Sequence, residues 1–214
     1  MRIASARIRL LSGICALVIV VGLILQWRSV GLLLESQGTG FLAKSFQFLA
    51  WFTVVTNLFC LGYCIRVFAK ASMPNGRLMA VPCAAIITVF LVAAFVLKSP
   101  GDLRGLARYA DILLHYGSPP LFSLLWWLCR DSETRTVPWV AGAGYPMTYA
   151  AWIFLRGGLT GYYPYPFVDP AVRGVMSAAV HVLVMFGLYA AVLAILLIAS
   201  TGTSNLKPPN AERH

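Results

Sequence analysis

This chain has little charge. Of its 214 residues only 11% are Asp, Glu, Lys or Arg, and only 7 are acidic. A soluble domain carries roughly a quarter charged residues, so a sizeable soluble domain is excluded. Histidine is scarce, with His115, His181 and His214 alone. The five cysteines (Cys15, Cys60, Cys64, Cys83, Cys129) make no CxxC pair and no zinc-finger spacing. That removes a disulfide framework and a structural zinc site, and leaves them as small buried hydrophobes. Clustered basic charge is missing as well. The net charge of +10 comes from Lys and Arg scattered singly at the ends of apolar runs. Such a pattern fits membrane anchors and topology signals rather than a nucleic-acid surface. No small-x-small cleavage site follows the apolar core Leu10–Leu25, so Met1–Trp27 reads as a retained first helix rather than a signal peptide. No internal repeat is visible, although repeats are usual in transporters.

What the chain does have is apolar length. Hydrophobic residues make up 59% of it, and six segments approach the roughly 20 residues that cross a hydrocarbon core. They are Leu10–Gln26, Phe46–Phe68, Leu78–Leu97, Tyr109–Leu128, Pro138–Leu155 and Val175–Ala199. The predicted fold is all-α: a polytopic membrane protein, one bundle of six transmembrane helices over residues 1–199, with a disordered tail over 200–214. Short connections at Ala69–Arg77, Lys98–Arg108 and Cys129–Val137 make neighbours antiparallel. Longer loops fall at Trp27–Ser45 and Arg156–Gly174. Basic residues favour the side of the N-terminus (Arg2, Arg7, Arg9), of Arg66, Lys70 and Arg77, of Arg130 and Arg135, and of the tail (Lys207, Arg213). The positive-inside rule therefore places both termini in the cytoplasm, in a bacterial inner membrane.

Polar residues within such spans are costly and mark function by default. Thr53 lies seven residues into the second predicted span and His115 six into the fourth. Tyr149 lies six from the end of the fifth, and His181 six into the sixth. At about 1.5 Å per residue all four sit roughly 9–11 Å from one membrane face. A hydroxyl and an imidazole are the minimum for nucleophilic catalysis: an oxygen to attack and a base to take its proton. Asp111, four residues before His115, can orient the imidazole as the third member of a triad does. Thr56 and Asn57 share a helical face with Thr53. Asn57, Tyr149 and His181 are candidate oxyanion donors. Arg156 is a candidate for holding a substrate carboxylate, which its fork suits.

Each residue also has a plain structural role. Threonine in a membrane helix usually bonds its own backbone. Asn57 serves equally as helix–helix glue, the tyrosines as an aromatic belt, and Arg156 as an interfacial snorkel. Shared depth is what favours a site. The segment Arg156–Pro170 holds three glycines, three prolines and three tyrosines; such a composition predicts an ordered lid.

These residues resemble a known family. Trp51-Phe52-Thr53-Val54-Val55-Thr56-Asn57, His115 with Pro119-Pro120, Tyr145-Pro146-Met147-Thr148-Tyr149, and Arg156-Gly157 through Tyr165-Pro166-Phe167-Val168-Asp169 occur here in this order. Their ordered set is similar to that of the androgen-induced-gene and androgen-dependent TFPI-regulating protein family of six-helix membrane hydrolases. The resemblance implies a threonine nucleophile at Thr53, with Thr56 as rival, and a histidine base at His115. It implies lipid-like ester substrates such as fatty acid esters of hydroxy fatty acids, membrane lipids as surroundings, and no cofactor. His181 departs from the pattern, which would place asparagine there. Two other readings use the same residues. One is a transporter or lipid binder, in which Gly142, Gly144 and Pro146 break the fifth helix. The other is a b-type haem held by His115 and His181. Asp111, His115 and His181 are the residues a zinc ion would take, at a spacing that is not diagnostic.

Overall fold

A computed structural model of the chain describes residues 4–35, 40–70, 74–97, 103–130 and 139–201. Arg2, Lys98, Arg135, Pro138, most of the third short connection and the tail from 202 onward lie outside the described residues. Among the described residues every regular element is helical. Four segments are long and apolar enough to cross a membrane: Ala6–Leu32 in α1 (Ala6–Glu35), Phe52–Ala69 in α3 (Phe52–Lys70), Gly76–Leu97, and Val175–Ser200 in α9 (Val175–Thr201). The third of these joins α4 (Gly76–Val92) to a π turn, Ala93–Leu97.

The fourth and fifth predicted spans are helical too, yet they are not among these four. One consists of α5 (Gly105–Asp111), a π turn (Ile112–Gly117) and α6 (Ser118–Cys129) in unbroken succession. The other is α7 (Trp139–Thr160). Asp111, His115 and two prolines lower the hydropathy of the first, and tyrosines, glycines, Pro146 and Arg156 that of the second.

Two boundaries need correction. The predicted 27–45 loop is largely helical, because α1 continues to Glu35 and α2 occupies Phe41–Phe48. The second predicted span, Phe46–Phe68, is not one helix. The chain leaves α2 after Phe48 and re-enters a helix at Phe52. Side chains of α7 explain the break. Tyr149 Oη donates to the Ala50 carbonyl (2.7 Å), Trp152 Nε1 to that of Leu49 (3.1 Å) and Arg156 Nε to that of Phe46 (3.0 Å). The last carbonyls of a helix have no partners of their own, and here one face of α7 supplies them. Thr53 therefore lies in the first turn of α3, not seven residues into a longer helix.

α1, α3, α4 and α6 enclose the main core. Cys15, Ile19, Cys60, Cys64, Met79, Cys83, Ile86, Phe122 and Trp126 are buried in it. All five cysteines are free and buried, as read from the sequence. α1 passes very close to the π turn at Gly22, where an added Cβ would come within 2.6 Å of Leu114 Cδ2. α9 leaves apolar residues such as Val180, Leu183, Ile195 and Ile198 on the outside.

Candidate active site

Proline starts the local geometry around His115. Pro119 and Pro120 carry no N–H, so the turn before them loses backbone donors. The Ser118 N–H bonds back to Leu113 O, the i−5 partner of a π turn. Leu114 O then has no backbone donor, since its π partner would be Pro119. Two side chains replace it: Asn57 Nδ2 at 3.3 Å and Ser118 Oγ at 3.1 Å. Asn57 Nδ2 also reaches Thr53 O (2.8 Å), and Asn57 Oδ1 accepts from Ser118 Oγ (2.6 Å). One buried amide thus ties the first turn of α3 to the π turn. Single π turns inside α-helices recur at functional sites, and this one carries His115.

Across that tie, Thr53 Oγ1 lies 2.9 Å from His115 Nε2. On the far side of the ring, His115 Nδ1 lies 2.9 Å from Asp111 Oδ1. The approach is off the line an N–H bond at Nδ1 would take, so the carboxylate stands beside Nδ1 without an aligned hydrogen bond. Thr53, His115 and Asp111 are in the order of a nucleophile, base and orienting acid.

Thr56 is arranged differently. It is fully buried and its Oγ1 pairs with Tyr145 Oη at 2.7 Å, away from the imidazole. Of the two threonines, the geometry pairs Thr53 with His115.

The pair opens on a cavity of about 560 Å³. Its wall is almost wholly apolar, with Val89, Ile153, Val182 and Phe186 typical of it; Thr53, Thr88, His115, Tyr149, Tyr165 and Tyr189 are the lining residues with polar side chains. Two lining residues, Met147 of α7 and Leu183 of α9, are 62% and 69% exposed. The cavity therefore opens sideways, between those two helices.

The remaining expected site residues have other partners. Asn57 gives both amide hydrogens to backbone carbonyls, which leaves none for an oxyanion. Tyr149 lines the cavity but its hydroxyl hydrogen goes to Ala50 O. His181 Nδ1 bonds Ser177 O at 2.7 Å, its ring packs on Phe167, and it does not line the cavity. Arg156 is expected at the surface, either holding a substrate carboxylate or snorkelling at the interface. It is 1% exposed instead. Nε holds the end of α2 at Phe46 O, and Nη1 holds Tyr162 O at 2.9 Å. The arginine is a strut between α2 and the segment that follows α7. Among the described residues no three His, Cys, Asp or Glu converge as a metal group, so Asp111, His115 and His181 do not form one ligand set. Both ring nitrogens of His115 are already engaged within the protein.

The segment after α7 is built of turns and two short helical pieces, Pro166–Val168 and Pro170–Arg173. Gly161 (φ 69°) ends α7 and Gly174 (φ 79°) precedes α9; both take left-handed backbone that suits glycine. Between them Asp169 caps the short α8 (Pro170–Arg173) by accepting from the Ala171 N–H at 2.8 Å. Gly157 makes room for the ring of Tyr163, with which an added Cβ would collide.

Sequence reasoning assigns Tyr165 to the expected lid, with an aromatic belt as its plain structural role, and names no chemistry for it. In the structure its hydroxyl stands at the start of α3, accepting from the Phe52 N–H at 3.2 Å. The signal was its place between two prolines, which fix the backbone. Compared with known proteins, the chain matches no family model, no curated protein and no solved structure.

Proposed function

We propose that this protein is an intramembrane lipid-ester hydrolase in which Thr53 is the nucleophile, His115 the base and Asp111 its orienting carboxylate. The observation that carries the reading is the Thr53 Oγ1–His115 Nε2 contact of 2.9 Å, made by two residues that line an apolar cavity. The ordered motif set that resembles the six-helix hydrolase family supports the same assignment. His115 takes the Thr53 proton as Oγ1 attacks an ester carbonyl. The tetrahedral species collapses, the alkoxide leaves with the proton from His115, and an acyl-threonine remains. Water, deprotonated by the same imidazole, attacks the acyl carbonyl and releases the acid. An apolar cavity with a side opening suits an ester whose acyl chain arrives through lipid.

The reading includes six membrane crossings. At about 1.5 Å per residue, Gly105–Cys129 and α7 each reach the ~30 Å of a hydrocarbon core. The membrane would be a bacterial inner membrane with both termini cytoplasmic, the orientation that the basic residues favour.

The same cavity also suits a lipid binder or transporter without chemistry. A fluorophosphonate ester probe on detergent-purified protein separates the two. Mass-spectrometric labelling of Thr53 that is lost in His115→Ala, with hydrolysis of lipid esters lost in both Thr53→Ala and His115→Ala, is the expected result. Folded variants that hydrolyse as well as the parent chain would sink the hydrolase reading.

A further inference from the structure

Every oxyanion donor expected from sequence has its hydrogens engaged elsewhere or stands outside the cavity. Of the other hydroxyls that line the cavity, those of Thr88 and Tyr189 give their hydrogens to backbone carbonyls, which leaves one. Tyr165 is 9% exposed and lines the cavity. Its oxygen accepts the Phe52 N–H, so it sits in the first turn of α3 beside Thr53. A phenol that accepts through its oxygen still has its own hydrogen to give, and at rest its side-chain hydrogen-bonding neighbour is Thr53, the nucleophile itself. The ring cannot wander: it packs edge-on against Trp51 (centroids 5.5 Å) and stacks on Phe167 (5.2 Å). Burial pushes the phenol up to about 12, against the opposing pull of Thr53 and the Phe52 backbone. The hydroxyl therefore keeps its proton at any physiological pH.

We propose that Tyr165 is a catalytic residue of this site, and that its hydroxyl donates the hydrogen bond that stabilises the oxyanion formed when Thr53 attacks. This inference rests on the hydrolase reading. In the attack a bond forms between Thr53 Oγ1 and the carbonyl carbon. The π electrons of the C=O bond move to its oxygen, and the threonine proton passes to His115 Nε2. The negative oxygen arises a bond's length from the attacked carbon, on the Thr53 side of the cavity where the phenol stands. The neighbouring positive end of α3 favours charge there as well. No proton leaves Tyr165 at any step. The segment between Gly161 and Gly174 is then part of the active site as well as its cover.

The test is Tyr165→Phe, which removes one oxygen and keeps the ring in its aromatic stack. Steady-state hydrolysis of a medium-chain p-nitrophenyl ester and the rate of fluorophosphonate labelling at Thr53 are measured on the full chain in detergent. Thermal unfolding shows that both proteins are folded at the assay temperature. A kcat lowered by roughly 10²–10³, as for other single oxyanion donors, is expected with KM within about twofold and labelling slowed in parallel. An unchanged kcat, or a raised KM alone, overturns the role of Tyr165 while leaving the labelled Thr53 and the hydrolase reading intact. A parent chain that neither hydrolyses the ester nor labels at Thr53 overturns both. Tyr165→Leu, which loses ring and hydroxyl together, must be at least as slow as Tyr165→Phe; a faster variant also overturns the role.

Discussion

The imidazole of His115 is held from two sides, by a hydroxyl and by a carboxylate, and each contact has its own consequence. The Asp111 contact is off-axis, so Asp111→Asn is expected to reduce kcat by roughly 10²–10³. That is less than the ~10⁴ lost when the aligned triad aspartate of a serine protease becomes asparagine. Ester-hydrolysis kinetics on the purified variant measure it; no change would remove Asp111 from the mechanism. Thr56 pairs with Tyr145 rather than with the histidine. Thr56→Val is therefore expected to keep Thr53 labelling at the parental rate and to lower stability by about 0.6–1.7 kcal/mol, the range for hydrogen bonds between membrane helices. Thermal unfolding and probe labelling on one preparation check both halves. Thr53, His115 and Asp111 were legible in the sequence because a polar residue in an apolar run is conspicuous. Tyr165 was not, because a tyrosine near an interface has a common and sufficient explanation in the aromatic belt. Nor could the sequence show that Asn57, Tyr149 and Arg156 have carbonyl partners, since those carbonyls appear only where helices end.

Helix ends and turns are the feature that periodicity hides. Apolar runs revealed the helices and nearly all of their order. The interruption at Leu49–Trp51 was invisible because it contains no proline or glycine. Donors from Tyr149, Trp152 and Arg156, distant in sequence, hold it open. The π turn did leave a trace, in Pro119 and Pro120, but the trace does not say which side chains serve the orphaned Leu114 carbonyl. Asn57→Leu tests that service. It removes the amide donors to Leu114 O and Thr53 O and leaves Ser118 Oγ on Leu114 O, and is expected to cost about 0.6–1.7 kcal/mol. It should also slow Thr53 labelling, because His115 rides on the turn. Loss of stability with parental labelling would show that the turn keeps its shape unaided. Gly22→Leu approaches the same turn from α1. Its Cβ alone would press on Leu114 at 2.6 Å, and overpacking of this kind typically costs about 1–3 kcal/mol. A thermal melt as stable as the parent's would show that α1 can shift away.

For the molecule as a whole, composition already established a membrane-type helical protein, and four apolar helices agree with it. The space beside α7 and α9 was beyond sequence reading, since a cavity arises where packed helices leave a gap. Its mouth, between Met147 and Leu183, faces the side of the bundle rather than either end. That orientation fixes the proper unit of concentration for any guest. A lipid-borne ester meets the mouth in proportion to its share of the surrounding lipid, whatever its amount per litre. Initial rates in mixed micelles should then fall as inert detergent is added at constant total ester, and recover when ester and detergent are raised together. Rates that follow bulk ester concentration alone would mean that the guest arrives from water. On the hydrolase reading, the same sideways mouth would make inert lipid a competitor, so that bilayer composition itself would act as an inhibitor whose strength follows how well each chain fits the slot.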